Sequence, residues 1–142
     1  TVSNGGKREV ICRRLLNNPL LSFATLIDPS ATLGRNTKVG DGSIVCAGTI
    51  TTINTVIGEN CIVNLNSTIG HDSILGNYST LHPGVNISGK VTIGERTLLG
   101  TGAKVIQGLE ISPDTVVGAG AVIIRDIKES GTYVGVPARK VK

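Results

Sequence analysis

The chain has 142 residues, a formal charge of +4, and 19 glycines against one Phe, two Tyr and no Trp. That length suits one principal domain, and the composition excludes a core of large aromatic plugs and leaves few rings for stacking on nucleic acid. No run approaches the ~20 apolar residues of a membrane span and the opening residues lack a secretory apolar stretch, so a soluble, cytoplasmic protein without membrane or nucleic-acid partners is expected.

The chain begins at Thr1, contains no Met and opens on a polar segment, which reads as the C-terminal part of something longer. From Lys7 to Asn18 the spacing predicts a helix with Asn4 as its cap and with Val10, Ile11, Cys12 and Leu15 gathered on one face. Pro19 stops it. Leu20 to Leu26 reads as an extended or irregular connection.

From Ile27 a six-residue rhythm takes over. Ile27, Leu33, Val39, Val45, Thr51, Ile57, Val63, Ile69, Leu75, Leu81, Ile87, Ile93, Leu99, Val105, Ile111, Val117 and Ile123 stand at a constant interval, and only Thr51 breaks the aliphatic column. Neither a helix period nor strand alternation produces this, so the chain is a repeat protein. Four residues after each aliphatic stands a small or β-branched residue, with Leu109 the exception. In an extended segment that position and the next aliphatic, two residues on, face the same side, so each repeat offers one large and one small inward residue. Gly often follows the aliphatic directly, as at Gly34, Gly58, Gly70, Gly94 and Gly118. Each hexapeptide is then a short strand and a corner, with glycine expected to make the turn. Repeated, these units wind into a parallel β-helix around an aliphatic axis.

The pattern aliphatic-Gly-x-x-small-x resembles the hexapeptide-repeat acyltransferases, and the resemblance covers most of the chain from Ile27 onward. It implies an all-β fold, a left-handed parallel β-helix of three hexapeptides per turn, spanning 27–123. Residues 1–26 would be an N-terminal helix and linker, the remnant of an absent α/β domain, and 124–142 a C-terminal tail. The left hand is implied by the family alone, since parallel crossovers are normally right-handed.

In this frame His71 and Asp72 follow Gly70 and occupy a corner pointing away from the axis. With three hexapeptides per turn, residues 18 apart stack in adjacent coils, which sets Gly89 beside His71. Its N–H is unobstructed by a side chain, as an oxyanion donor requires. His82 follows Leu81 directly and is expected near the surface.

The stretch I-G-H-D-S-I-L-G-N-Y-S-T-L-H-P-G is similar to that of a narrower branch, the acetyltransferases of sialic acids and of the 4-amino group of nucleotide-linked sugars. This resemblance implies His71 as general base, Asp72 as the residue orienting its ring, and the Gly89 backbone as the contact for the acetyl carbonyl. It also implies that Thr101 and the Ala119 backbone lie along the pantetheine arm of acetyl-CoA. Relatives often carry a second His near the acetyl group, where this chain has Thr80; His82 lies two residues further on as a secondary contact. The ending V-G-V-P-A-R-K resembles the family's tail, and Arg139 or Lys140 would meet a ligand phosphate.

The expected co-substrate is acetyl-CoA, the acceptor a sugar or nucleotide-sugar in bacterial-type surface glycan biosynthesis, and the assembly a homotrimer with sites between subunits. Both N-acetylation of an amino sugar and O-acetylation of a sialic acid stay open. No metal is expected, because Cys12, Cys46 and Cys61 have no C-x-x-C spacing and two histidines do not resemble the three-His zinc site of γ-class carbonic anhydrases, which share the β-helix. The same cysteines offer no nearby histidine for an acyl-cysteine route, so direct transfer is preferred. A non-catalytic β-helix scaffold is the remaining rival.

Overall fold

The computed structural model describes residues 2–142 and bears out the β-helix: about six left-handed turns, preceded by one helix. Strands of mostly two residues pair in parallel at intervals of 18, for example Thr80↔Leu98 and Leu81↔Leu99, Asn86↔Lys104 and Thr92↔Glu110. Three faces result. Thr80–Leu81 belongs to face one, Asn86–Ile87 to face two and Thr92–Ile93 to face three.

The inward column is buried from Val45 to Ile123, including Thr51. Ile27, in the first coil among the described residues, is exposed. The small inward positions between Ser43 and Ala121 are buried too, apart from the half-buried Leu109. Their chemistry is more specific than size. Ser43 Oγ donates to the Gly58 carbonyl at 2.7 Å, Ser79 Oγ to Gly94 at 2.9 Å and Thr97 Oγ1 to Ser112 at 3.2 Å. Each hydroxyl reaches 15 residues ahead to the next coil, so the buried polar atom is satisfied where a methyl would only fill space.

The corners correct the expected role of glycine. A left-handed backbone conformation recurs every six residues, at Asn36, Gly42, Gly48, Asn54, Asn60, Asn66, Asp72 and onward to Asp114 and Gly120. It lies two residues beyond the glycine that follows the aliphatic, and asparagine tolerates it through its short polar side chain. The glycines after the aliphatic answer a different demand: a Cβ on Gly70 would lie 2.5 Å from the Gly89 nitrogen. They let one coil rest on the next.

The helix α1 runs Gly5–Leu16 with Asn4 as N-cap, its side chain accepting from the Lys7 N–H. Of the expected apolar face Cys12 is buried, whereas Val10, Ile11 and Leu15 are exposed and Arg8 is buried in their stead. Arg8 decides the orientation, because its guanidinium donates to the carbonyls of Asn60 at 2.8 Å, Ser79 at 3.0 Å, Tyr78 and, within the N-terminal segment, Val2 at 2.6 Å. Docking also needs Gly5, where a Cβ would sit 2.5 Å from the Tyr78 oxygen.

After Ile123 the rhythm ends but the stack does not. Gly131–Val134 pairs in parallel with Thr115–Val117, at an offset of 16 instead of 18, and then with Arg139–Lys140 in antiparallel. Among the described residues no helix is long and apolar enough to cross a membrane.

Candidate active site

His71 stands at the corner between faces two and three. Gly70 allows the next coil to approach closely, and Asp72 takes the left-handed conformation at φ 56°, turning its side chain back toward the preceding residue. The His71 Nδ1 and Asp72 Oδ2 atoms are 2.9 Å apart, with side-chain exposures of 44% and 43%. The hydrogen bond to His71, then that from Asn54 Nδ2, holds the Asp72 carboxyl below the usual carboxylate range, and the Lys90 charge adds to this. An ionised carboxylate only accepts, so in the neutral imidazole Nδ1 carries the proton and Nε2 is the acceptor.

Gly89 lies directly beside that free nitrogen. A Cβ on Gly89 would be 2.3 Å from His71 Nε2, so the bare backbone is what admits the ring. The Gly89 N–H donates to no group among the described residues. The structure therefore brings His71, Asp72 and Gly89 together as one corner constellation.

Thr101 and Ala119 occupy the corner between faces one and two, stacked 18 residues apart; a Cβ on Gly100 would be 2.6 Å from the Ala119 nitrogen. Beyond Asn66 this edge is bare: Gly84, Gly102 and Gly120 hold the later left-handed positions, and a Cβ at any of them would meet nothing within 4 Å. His82 lies on the same edge, half-buried, its carbonyl accepting from Ser67 Oγ at 3.3 Å.

Thr80 is elsewhere: it is buried on face one, where its Oγ1 donates to the Ser3 carbonyl at 2.8 Å. The N-terminal segment covers it in the single chain. Arg139 and Lys140 are exposed on the last strand of face one. Arg139 Nη1 donates to the Ala138 carbonyl at 2.8 Å, and Lys140 Nζ pairs with Glu129 at 3.0 Å.

Cys61 is inward and fully buried, and burial pushes its thiol up to about 11, so it offers no thiolate near neutral pH. Among the described residues no group of three or more His, Cys, Asp or Glu side chains converges as a metal site would. One contact of this corner was missed in the sequence, the Asn54 bond to Asp72. The same 18-residue spacing that points to Gly89 would have found it.

Residues 54–89 match the family model described as bacterial transferase hexapeptide (six repeats), and residues 90–125 match the hexapeptide repeat of succinyl-transferase. The chain belongs to the hexapeptide-repeat transferases. Among solved structures, it is similar to PerB from Caulobacter crescentus in complex with CoA and GDP-perosamine, with TM-score 0.96 and 35% identity over 99% of this chain and 68% of that one. The acetyltransferase domain of PglB from Neisseria gonorrhoeae gives TM-score 0.94 and 33% identity, again over 99% and 68%. WeeI from Acinetobacter baumannii gives 0.93 and 30% over the same shares. A search of curated protein sequences gave no significant match. These relatives support acetyltransferase activity for the chain.

Proposed function

We propose that the chain is an acetyl-CoA-dependent N-acetyltransferase of a nucleotide-linked amino sugar, with His71 as the general base. The observation that carries this reading is the His71 ring, paired through Nδ1 with Asp72 and directing Nε2 to the side-chain-free Gly89. The solved relatives support the substrate class, since PerB is described with CoA and GDP-perosamine and PglB with acetyl coenzyme A.

In this reading the neutral amine of the sugar attacks the thioester carbonyl carbon. His71 Nε2 accepts the proton that the nitrogen sheds, and Asp72 stabilises the resulting imidazolium. The carbonyl oxygen gains negative charge and is met by the Gly89 N–H. The tetrahedral carbon then releases the CoA thiolate, and the imidazolium proton neutralises it. In a trimer, acetyl-CoA lies between two subunits, against the His71–Gly89 corner of one and along the glycine edge at Thr101 and Ala119 of the other, with Arg139 or Lys140 toward its phosphates. Thr80 and His82 are assigned no step.

A homotrimer fits this arrangement. Ile50, Ile53 and Ile74 are exposed around the His71 corner, and a neighbouring subunit covering them would dehydrate the base and close a groove. Sedimentation should give three chains per particle; an active monomer would sink this part.

The direct test is a panel of UDP- and GDP-linked amino sugars, free amino sugars and sialic acids with acetyl-CoA, following thiol release and product mass. Acetamido-sugar nucleotide formation is expected. Transfer to sialic acid hydroxyls alone, or to none of the panel, would overturn the assignment.

A further inference from the structure

The three corner columns of the β-helix differ in the side chains at their left-handed positions. The edge between faces one and two carries Gly48, Asn66, Gly84, Gly102 and Gly120; the edge between faces three and one carries Gly42, Asn60, Tyr78, Arg96 and Asp114; the edge with His71 carries Asn36, Asn54, Asp72, Lys90 and Gly108. The His71 column starts with three consecutive carboxamide or carboxylate side chains, and they are bonded in series. Asn36 Nδ2 donates to Asn54 Oδ1 at 3.0 Å, and Asn54 Nδ2 donates to Asp72 Oδ1 at 2.9 Å. The other Asp72 oxygen meets His71 Nδ1 at 2.9 Å.

We propose that Asn54, itself oriented by Asn36, is a positioning residue that holds the Asp72 carboxylate in the one rotamer that fixes the His71 tautomer. This rests on the His71 base of the proposed function.

The direction of the ladder is set by chemistry. An ionised Asp72 accepts only, so the Asn54 amide must present its NH₂ there, which leaves Asn54 Oδ1 to accept from Asn36. All donors therefore point toward the carboxylate, and each bond polarises the next. Without Asn54, the exposed Asp72 side chain would be free to rotate away from Nδ1, and the imidazole could carry its proton on Nε2, the nitrogen required as base. The near-identical φ values of Asn36, Asn54 and Asp72, 60°, 57° and 56°, keep the three side chains in register one coil apart. Lys90, next in the column, has donors only and ends the ladder on a positive charge.

The test uses Asn54→Gly, which accommodates φ 57° without strain, and Asn54→Asp, which keeps the shape and removes the donor. The ¹⁵N imidazole shifts of His71 report which nitrogen is protonated, with His82 as an internal reference. Wild type should carry the proton on Nδ1, and both variants should show a mixture. Transfer should fall roughly tenfold in kcat with KM for acetyl-CoA unchanged, the scale of a lost orienting partner. In an Asp72→Ala background, Asn54→Gly should add no further loss. An unchanged His71 signature with transfer within about twofold of wild type overturns the proposal, as does an undiminished effect in the Asp72→Ala background. Absence of transfer in wild type would count against the proposed function, while the tautomer measurement would still decide the ladder.

Discussion

Two corners of the same triangular coil have been given opposite surfaces by the same backbone. At the corner between faces two and three, left-handed positions hold Asn36, Asn54 and Asp72, whose side chains are bonded in series with Asp72 meeting His71. At the corner between faces one and two, Gly84, Gly102 and Gly120 leave the edge open, with nothing within 4 Å of where a side chain would begin. A conformation that Gly and Asn both tolerate is used once for a fixed polar ladder and once for bare space. The same coil carries one edge of bonded polar side chains and one bare edge without any change of fold. The third corner holds neither; α1 closes it through Arg8.

Breaking the first edge should have the largest effect. His71→Ala should lower acetyl transfer by about 10²-fold to 10⁴-fold, the range of a lost general base, with the thermal midpoint unchanged because the ring is half-exposed at a corner. Steady-state rates beside a melting curve check both halves.

Next, Gly89→Ala puts a methyl 2.3 Å from His71 Nε2 and should displace the ring, costing about 10²-fold in kcat. Gly102→Ala sharpens the contrast. It meets no neighbour but strains a φ of +70°, so it should cost about 1 kcal/mol of stability and raise KM for acetyl-CoA while sparing kcat. Equal kcat losses in both variants would break the distinction between the edges.

The third corner should answer in stability. Arg8→Ala leaves several buried carbonyls unpaired and should cost about 2 to 3 kcal/mol in urea unfolding, with a smaller fractional change in kcat than either His71→Ala or Gly89→Ala. Beneath it, the Cys61 thiol gives a pH dependence. Burial raises it from 9.0 to about 11 in the folded chain, so the stability of the neutral thiol is complete below about 9 and lost as pH climbs through about 11. Cys61→Ala should remove about 2 kcal/mol of the wild type's alkaline decline, read from unfolding midpoints between pH 8 and 11.

Much of the fold was legible from spacing. The aliphatic column from Ile27 to Ile123 and the small residues between its members mark the inward positions, and every corner follows from them. The helix cap at Asn4 was equally plain. The helix face was legible only at Cys12, since apolar spacing favoured Val10, Ile11, Cys12 and Leu15 whereas the carbonyls of Asn60, Tyr78 and Ser79 bind Arg8. Of the candidate site, the proximity of His71 and Gly89 was legible once three hexapeptides per turn was assumed. Thr80 gave no sign in sequence that Ser3 would cover it.

By itself, then, the sequence determined the period, the inward column and the corner on which His71 stands, because these depend on covalent spacing and on alternation along each strand. The tertiary structure alone decided the contacts between coils: which oxygen of Asp72 faces Nδ1, that Asn54 takes the other, and that α1 buries an arginine. Those depend on side-chain directions at stacked corners and, for Arg8, on hydrogen-bond partners up to 71 residues away; the 18-residue spacing brings Asn54 over Asp72 but does not orient their side chains.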